Sequence, residues 1–77
     1  MKRYETVVLR EAIGGFRKGE LGAVVEVYTT PFEAYDVEIV ADDGTTRGLL
    51  EAVRPSQIEA ADAAARRIAP SLADAGR

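Results

Sequence analysis

The sequence predicts a mainly β fold, a small antiparallel barrel of about five strands followed by a C-terminal helix. Two stretches with strand-like alternation, residues 21–28 and 34–40, are separated by a short turn, as expected for neighbouring half-buried strands. A Gly-x-x-Gly bend at residues 19–22 leads into the first stretch. Asp43-Gly44 follows the second and supplies the positive φ of a tight hairpin turn. Short strands joined by such turns are typical of small barrels.

Size and composition limit what the domain can do. A chain of 77 residues forms one domain and buries only about 60% of its unfolded surface. It is 47% hydrophobic but only 6% aromatic, so we expect a core of Val, Ile, Leu and Ala. The chain has no Cys and no His, which removes thiolate zinc sites and Ser-His or Cys-His nucleophiles. We therefore expect no enzyme activity, no metal and no cofactor.

Charge is unevenly placed along the chain. The net charge is −3, and between Lys18 and Arg47 there are seven carboxylates but no basic residue. These carboxylates are Glu20, Glu26, Glu33, Asp36, Glu38, Asp42 and Asp43. Such a surface repels phosphate backbones and attracts basic partners. We therefore expect a basic protein as the partner rather than nucleic acid.

The hydropathy pattern indicates no membrane partner. No apolar run approaches the length of a membrane span. The basic start at residues 2–3 is not followed by the apolar core of a secretory signal. We expect a soluble, cytoplasmic protein.

The first two predicted strands are residues 6–10 and 21–28, joined by a loop at 11–18. The first is too short to show which face it buries. In the second, Glu26 should face water. Alternation then places Ala23, Val25 and Val27 inside and Val24 and Tyr28 outside.

The third predicted strand, residues 34–40, follows a turn at 29–33 that contains Pro31. Its alternation buries Tyr35, Val37 and Ile39 and exposes Asp36 and Glu38. A register that keeps both apolar sets inside places Glu26 opposite Asp36 or Glu38. Facing like charges cost about 0.2–1 kcal/mol, and we expect Arg47 on the next strand to offset that repulsion.

The fourth predicted strand is residues 46–53, with Leu50 and Ala52 on one face. Arg47, Leu49 and Glu51 lie on the other face. Two interpretations remain for the segment that follows. Residues 54–58 form a 3₁₀ turn before a short closing strand, or Ser56 and Glu59 form a capping box that opens a helix.

We divide the chain into a barrel domain at residues 4–59 and an Ala-rich helix or tail at 60–77. A helix places five apolar residues on one stripe, and Pro70 ends or kinks it. The stripe consists of Ile58, Ala61, Ala65, Ile68 and Leu72. Because it is mostly alanine it buries little area, so a frayed tail remains the alternative. Self-association through this helix is compatible with every function below.

Several of these motifs occur together in a known family. The runs KGELGAVVEVY at 18–28, AYDVEIV at 34–40 and DDG at 42–44, with ETVVL at 5–9, resemble a small bacterial family, domain of unknown function four-nine-two-six. The resemblance covers roughly residues 4–59. It implies an SH3-like five-stranded barrel and no activity. More loosely, the glycine bend is similar to that of KOW-type barrels and of the nitrile hydratase β subunit.

The candidate site is an aromatic surface edged by carboxylates. Strand alternation places Tyr35 in the core and leaves Tyr28 and Phe32 outside, with Phe16 reaching across from the other loop. The carboxylates around them are Glu26, Glu33, Asp36 and Glu38. In SH3-like barrels these two loops flank a peptide groove, so such a surface fits a basic or proline-containing segment. The alternative is that the rings only cap the ends of the barrel.

These observations favour a non-catalytic protein-interaction module. One version is an antitoxin or immunity-like partner of a basic protein. A second hypothesis is an accessory or assembly domain of a larger enzyme, as the nitrile hydratase resemblance implies. A third is KOW-like RNA or ribosome binding, which we do not expect, because the late basic residues are few. Those residues are Arg54, Arg66, Arg67 and Arg77.

Overall fold

A computed structural model describes residues 1–68. It is mainly β, with five antiparallel strands in one sheet and a short C-terminal helix, which confirms the predicted fold class. The elements are β1 (Thr6–Leu9), β2 (Leu21–Tyr28), β3 (Ala34–Val40), β4 (Thr46–Val53), β5 (Ile58–Ala60) and α1 (Ala61–Ile68). The predicted bounds of β2, β3 and β4 are confirmed. No helix within residues 1–68 is long and apolar enough to cross a membrane.

The strands lie in the order β4-β3-β2-β1-β5. A 3₁₀ turn at Pro55–Gln57 is the only element between β4 and β5 in the described chain. Because this short turn joins the two outermost strands of the order, the sheet curls and its inner face encloses one core. The core residues come from all five strands: Val7, Leu9, Val24, Tyr35, Val37, Ile39, Leu50, Val53 and Ile58.

The hairpin between β3 and β4 has the predicted chemistry. Gly44 has a φ of 86°, which an L side chain rarely adopts. The Asp43 carboxylate accepts hydrogen bonds from the Thr45 hydroxyl at 2.7 Å and the Thr45 backbone N–H at 3.0 Å. These hydrogen bonds lower the pKa of Asp43.

The predicted inner face of β2 is wrong at Ala23 and Val24, because Ala23 pairs with Glu38 on the outer face. Val24 is fully buried, whereas Val25 is only partly buried. The reason is a β-bulge: Val24 pairs with Val37 and Glu26 pairs with Asp36, so Val25 is an extra residue. A bulge reverses the alternation beyond it, and Val27 therefore packs against the core as predicted.

A second bulge overturns the prediction for β4. Ala52 is exposed, has a φ of 54°, and precedes the buried Val53. The register shifts here, because Tyr35 pairs with Val53 but Val37 pairs with Leu50. Leu50 is buried and Leu49 exposed, as predicted.

The segment after β4 follows the first of the two interpretations, a 3₁₀ turn and then a short strand. The capping box at Ser56 is wrong as a helix start, because α1 begins at Ala61. In the 3₁₀ turn that forms here, the Arg54 backbone N–H donates a hydrogen bond to the Gln57 side-chain oxygen, at 2.9 Å. Helix α1 packs against β1 and β5. The predicted helix end at Pro70, the stripe residue Leu72 and Arg77 lie outside the described residues.

Candidate functional site

The candidate site is built around one buried carboxylate. Asp36 on β3 was predicted to be exposed, but only 9% of it is accessible. The Tyr28 hydroxyl donates a hydrogen bond to Asp36 Oδ2 at 2.8 Å, and the Ala52 backbone N–H donates to Asp36 Oδ1 at 2.9 Å. The β4 bulge turns this N–H toward the side chain, so the predicted exposure of Asp36 is wrong. The carboxylate joins β2, β3 and β4.

Other charges surround this hydrogen-bonded group. Glu26 pairs with Asp36 across β2 and β3, as the predicted register required. The hydrogen bond to Asp36 raises the pKa of Tyr28, and burial and the charges of Asp36, Glu26 and Glu51 raise it further. Carboxylates on three strands therefore give this surface a negative potential.

The charge of Glu26 is offset by Arg3, so the prediction that Arg47 offsets it is wrong. Arg3 forms an ion pair with Glu26 at 2.5 Å, and both side chains are about half exposed. Arg47 instead forms an ion pair with Glu20, and its guanidinium lies 5.5 Å from the centre of the Phe16 ring. Arg47 is the extra residue at a shift in the β3–β4 register, between Thr46 and Gly48, and the predicted alternation did not include this shift.

Phe32 gives the surface its exposed aromatic ring. It lies in the turn between β2 and β3 and is 76% exposed. Together with Tyr28, Asp36 and Glu51 it lines a depression of about 340 Å³. Aromatic residues are enriched in protein interfaces, so the exposed Phe32 ring makes this depression a candidate binding surface.

A larger depression of about 880 Å³ adjoins the first. The two share Phe32, Ala34, Glu51 and Ala52 in their linings. The larger one continues along the residues after Ala52 to the 3₁₀ turn, and Ile13 and Glu33 also line it.

Glu33 and Tyr35 contact each other at the edge of this larger depression. Tyr35 is 1% exposed and belongs to the core, as predicted. Its hydroxyl donates a hydrogen bond to the Glu33 carboxylate. That hydrogen bond, with burial and the charges of Glu33 and Glu5, raises the pKa of Tyr35 to about 12.

Two predicted site residues lie elsewhere. Phe16 packs against the core, and its ring would contact a Cβ at Gly48 at 2.7 Å. Gly48 pairs with Ile39, near the opposite end of β3 from Tyr35. Phe16 therefore covers the core, which matches the alternative prediction for the rings. Glu38 pairs with Ala23 and Leu49 on the outer face of the sheet.

The structure thus assembles four of the seven predicted residues, Glu26, Tyr28, Phe32 and Asp36, and places Glu33 beside them. The prediction missed Glu51, although it placed this residue on the outer face of β4. It also missed Ala52, for which the sequence carries no signal, because its role depends on a backbone bulge.

The surface offers carboxylate oxygens as acceptors, a phenol and an exposed aromatic ring. Within residues 1–68, no group of three His, Cys, Asp or Glu side chains has a geometry that could hold a metal ion.

A family model matches most of the chain. The sequence model of a family described as "Domain of unknown function (DUF4926)" matches residues 3–60. No curated protein and no solved structure matches the chain. Since the match covers most of the 77 residues, the chain belongs to the DUF4926 family.

Proposed function

We propose that this protein is a non-catalytic interaction module that binds a basic segment of another protein. The binding site is the acidic aromatic surface, which we define as Glu26, Tyr28, Phe32, Asp36 and Glu51. The observation that carries the proposal is the position of Phe32, an exposed ring beside the Tyr28–Asp36 pair and Glu51.

The chemistry of this surface favours a Lys or Arg side chain. A cation over the face of an aromatic ring such as Phe32 contributes about 0.5–1 kcal/mol at exposed sites. Exposed carboxylates attract the same cation, and Glu51 is exposed. Nucleic acid is disfavoured, because its phosphates would approach carboxylates.

Catalysis is not part of the proposal. Asp36 is the most buried carboxylate of the surface, and both its oxygens accept hydrogen bonds from the protein itself. The absence of His and Cys from the sequence removes the usual nucleophile–base pairs. The proposal therefore assigns these carboxylates to positioning and recognition.

A peptide array tests the proposal. The array varies the Lys and Arg content of short peptides and is probed with the labelled protein. We expect binding to rise with positive charge. It should fall steeply when KCl is raised from about 0.1 M to about 1 M, which shortens the Debye length from about 10 Å to about 3 Å.

Matched variants make the test specific to this surface. Glu51→Gln removes one charge from it, and Asp42→Asn removes one charge from the distant β3–β4 hairpin. Phe32→Ala removes its exposed ring, and Leu49→Ala removes an exposed apolar side chain of the outer face. We expect Phe32→Ala and Glu51→Gln each to weaken binding about two- to fivefold. Equal effects of the surface and control variants would contradict the proposal.

A further inference from the structure

The two depressions beside Phe32 adjoin each other, and we call the pair the trough. Four residues line both of them: Phe32, Ala34, Glu51 and Ala52. Their volumes, about 340 and about 880 Å³, each fall within the range of ligand sites. A ligand longer than one side chain can therefore occupy both at once.

The two ends of this trough differ in chemistry. The smaller end has the Tyr28 hydroxyl and the Asp36 and Glu51 carboxylates. The larger end adds apolar surface from Ile13 and Pro55, and the two charged side chains that line only this end, Glu33 and Arg54, have opposite signs. Ile13 packs against the hydrophobic core, and Pro55 has a fixed φ, so this apolar wall is supported from behind.

We propose that the trough binds an extended peptide segment that has a Lys or Arg side chain at the smaller end and an apolar side chain in the larger end. This inference rests on the proposed function and adds to it the second side chain of the ligand. Charge complementarity selects the occupant: a cationic side chain matches the carboxylates beside Tyr28. The smaller end has Asp36 and Glu51 but no cation in its lining, whereas Arg54 offsets Glu33 in the larger end, so the cationic side chain is assigned to the smaller end and the apolar one to the larger end.

Size and shape also favour a peptide. Side chains two residues apart on an extended peptide point the same way, so one strand can place a cation and an aliphatic group into adjoining depressions. Phe32 lines both ends of the trough and would contact both ligand side chains.

The experiment uses synthetic peptides of equal charge. One set contains a single Arg followed, at spacings of one to four residues, by Leu. The matched set has Ala at the same positions. We expect the wild-type chain to bind the best Leu peptide about five- to twentyfold more tightly than its Ala partner, because the larger end removes more apolar surface of Leu than of Ala from water.

A blocking variant separates the two ends. Ser56 is exposed and lines only the larger depression, so Ser56→Trp fills that end. We expect Ser56→Trp to abolish the preference for Leu and to keep the binding that depends on Arg. Thr6→Trp, on an exposed position of β1, is the matched control and should change neither. Circular dichroism of both variants checks that they fold.

The outcomes distinguish this inference from the proposed function. If Arg peptides bind but Leu and Ala give equal affinities, the inference is wrong and the proposed function stands. If no Arg peptide binds, both are wrong. A preference for Leu that survives Ser56→Trp also overturns the inference, because the apolar side chain then lies elsewhere.

Discussion

The hydroxyl of Tyr28 lies 2.8 Å from Oδ2 of Asp36 and donates a hydrogen bond to it, from β2 to β3. The second oxygen of Asp36 accepts the backbone N–H of Ala52 at the β4 bulge. One buried carboxylate therefore fixes both a surface phenol and an irregular backbone segment. The surface that we propose for binding thus depends on the same contacts that hold the C-terminal end of β4 to the N-terminal end of β3.

Asp36→Ala is predicted to destabilise the protein. It leaves the Ala52 N–H and the Tyr28 hydroxyl without their partner, and we expect a loss of about 1–3 kcal/mol in the free energy of unfolding. Urea denaturation monitored by circular dichroism measures it. Asp36→Asn should cost less, because the amide keeps one acceptor oxygen. Asp42→Ala, in the exposed hairpin, is the control, and an equal loss in the two alanine variants would contradict the prediction.

Gly48→Ala is predicted to disturb the packing of Phe16. A Cβ at this position would lie 2.7 Å from the end of the Phe16 ring, so the ring must move, at a cost of about 1–3 kcal/mol. In the background of Phe16→Ala the same substitution should cost much less. A double-mutant cycle by thermal or urea unfolding measures the coupling. If the two substitutions had additive effects on stability, contact with the Phe16 ring would not be the cause of the loss at Gly48.

Gly44→Ala is predicted to weaken the hairpin between β3 and β4. A Cβ there meets no atom within 4 Å, so the effect is due to the φ of 86° alone. We expect a loss of about 1 kcal/mol. Gly44→Asn should cost less, because Asn tolerates a left-handed backbone better. Equal losses for the two variants, measured by urea unfolding, would contradict this explanation.

Stability should depend on pH in the alkaline range through Tyr35. Its pKa is raised to about 12 from a usual value of 10.0, so the folded state favours the neutral phenol. The stabilisation is complete below about pH 10 and is lost as the pH rises through about 12. Tyr35→Phe should remove this component, so the stability difference between wild type and variant should shrink over that interval. A difference that does not change with pH would contradict the assignment.

Strand positions were predictable here because local signals mark them. The alternating runs, Pro31 in the turn and Asp43-Gly44 in the hairpin fix the bounds of β2, β3 and β4 without any tertiary information. The 3₁₀ turn was predicted only as one of two interpretations. The choice depends on whether residues after Gln57 pair with β1, and this pairing is a long-range contact.

Residue orientation was less predictable because three register shifts interrupt the alternation, one between β2 and β3 and two between β3 and β4. Nothing in the type of Val25 or Ala52 marks an extra residue, so Val24 and Ala52 were placed on the wrong faces. The same irregularity explains Asp36, which is buried because the bulge supplies an N–H to its carboxylate. The sequence alone indicated that the candidate site consists of aromatic and acidic residues. Their assembly around Phe32 required the turn geometry.

The most direct test of the proposed binding surface is an NMR titration of the protein with an arginine-containing peptide, followed through backbone amide chemical shifts. We predict that the shifts concentrate at Tyr28, Phe32, Glu51 and Ala52, and that Phe32→Ala moves the titration to higher peptide concentrations. Shifts confined to the β3–β4 hairpin or to the outer face around Leu49, or no shifts at all, would contradict the account.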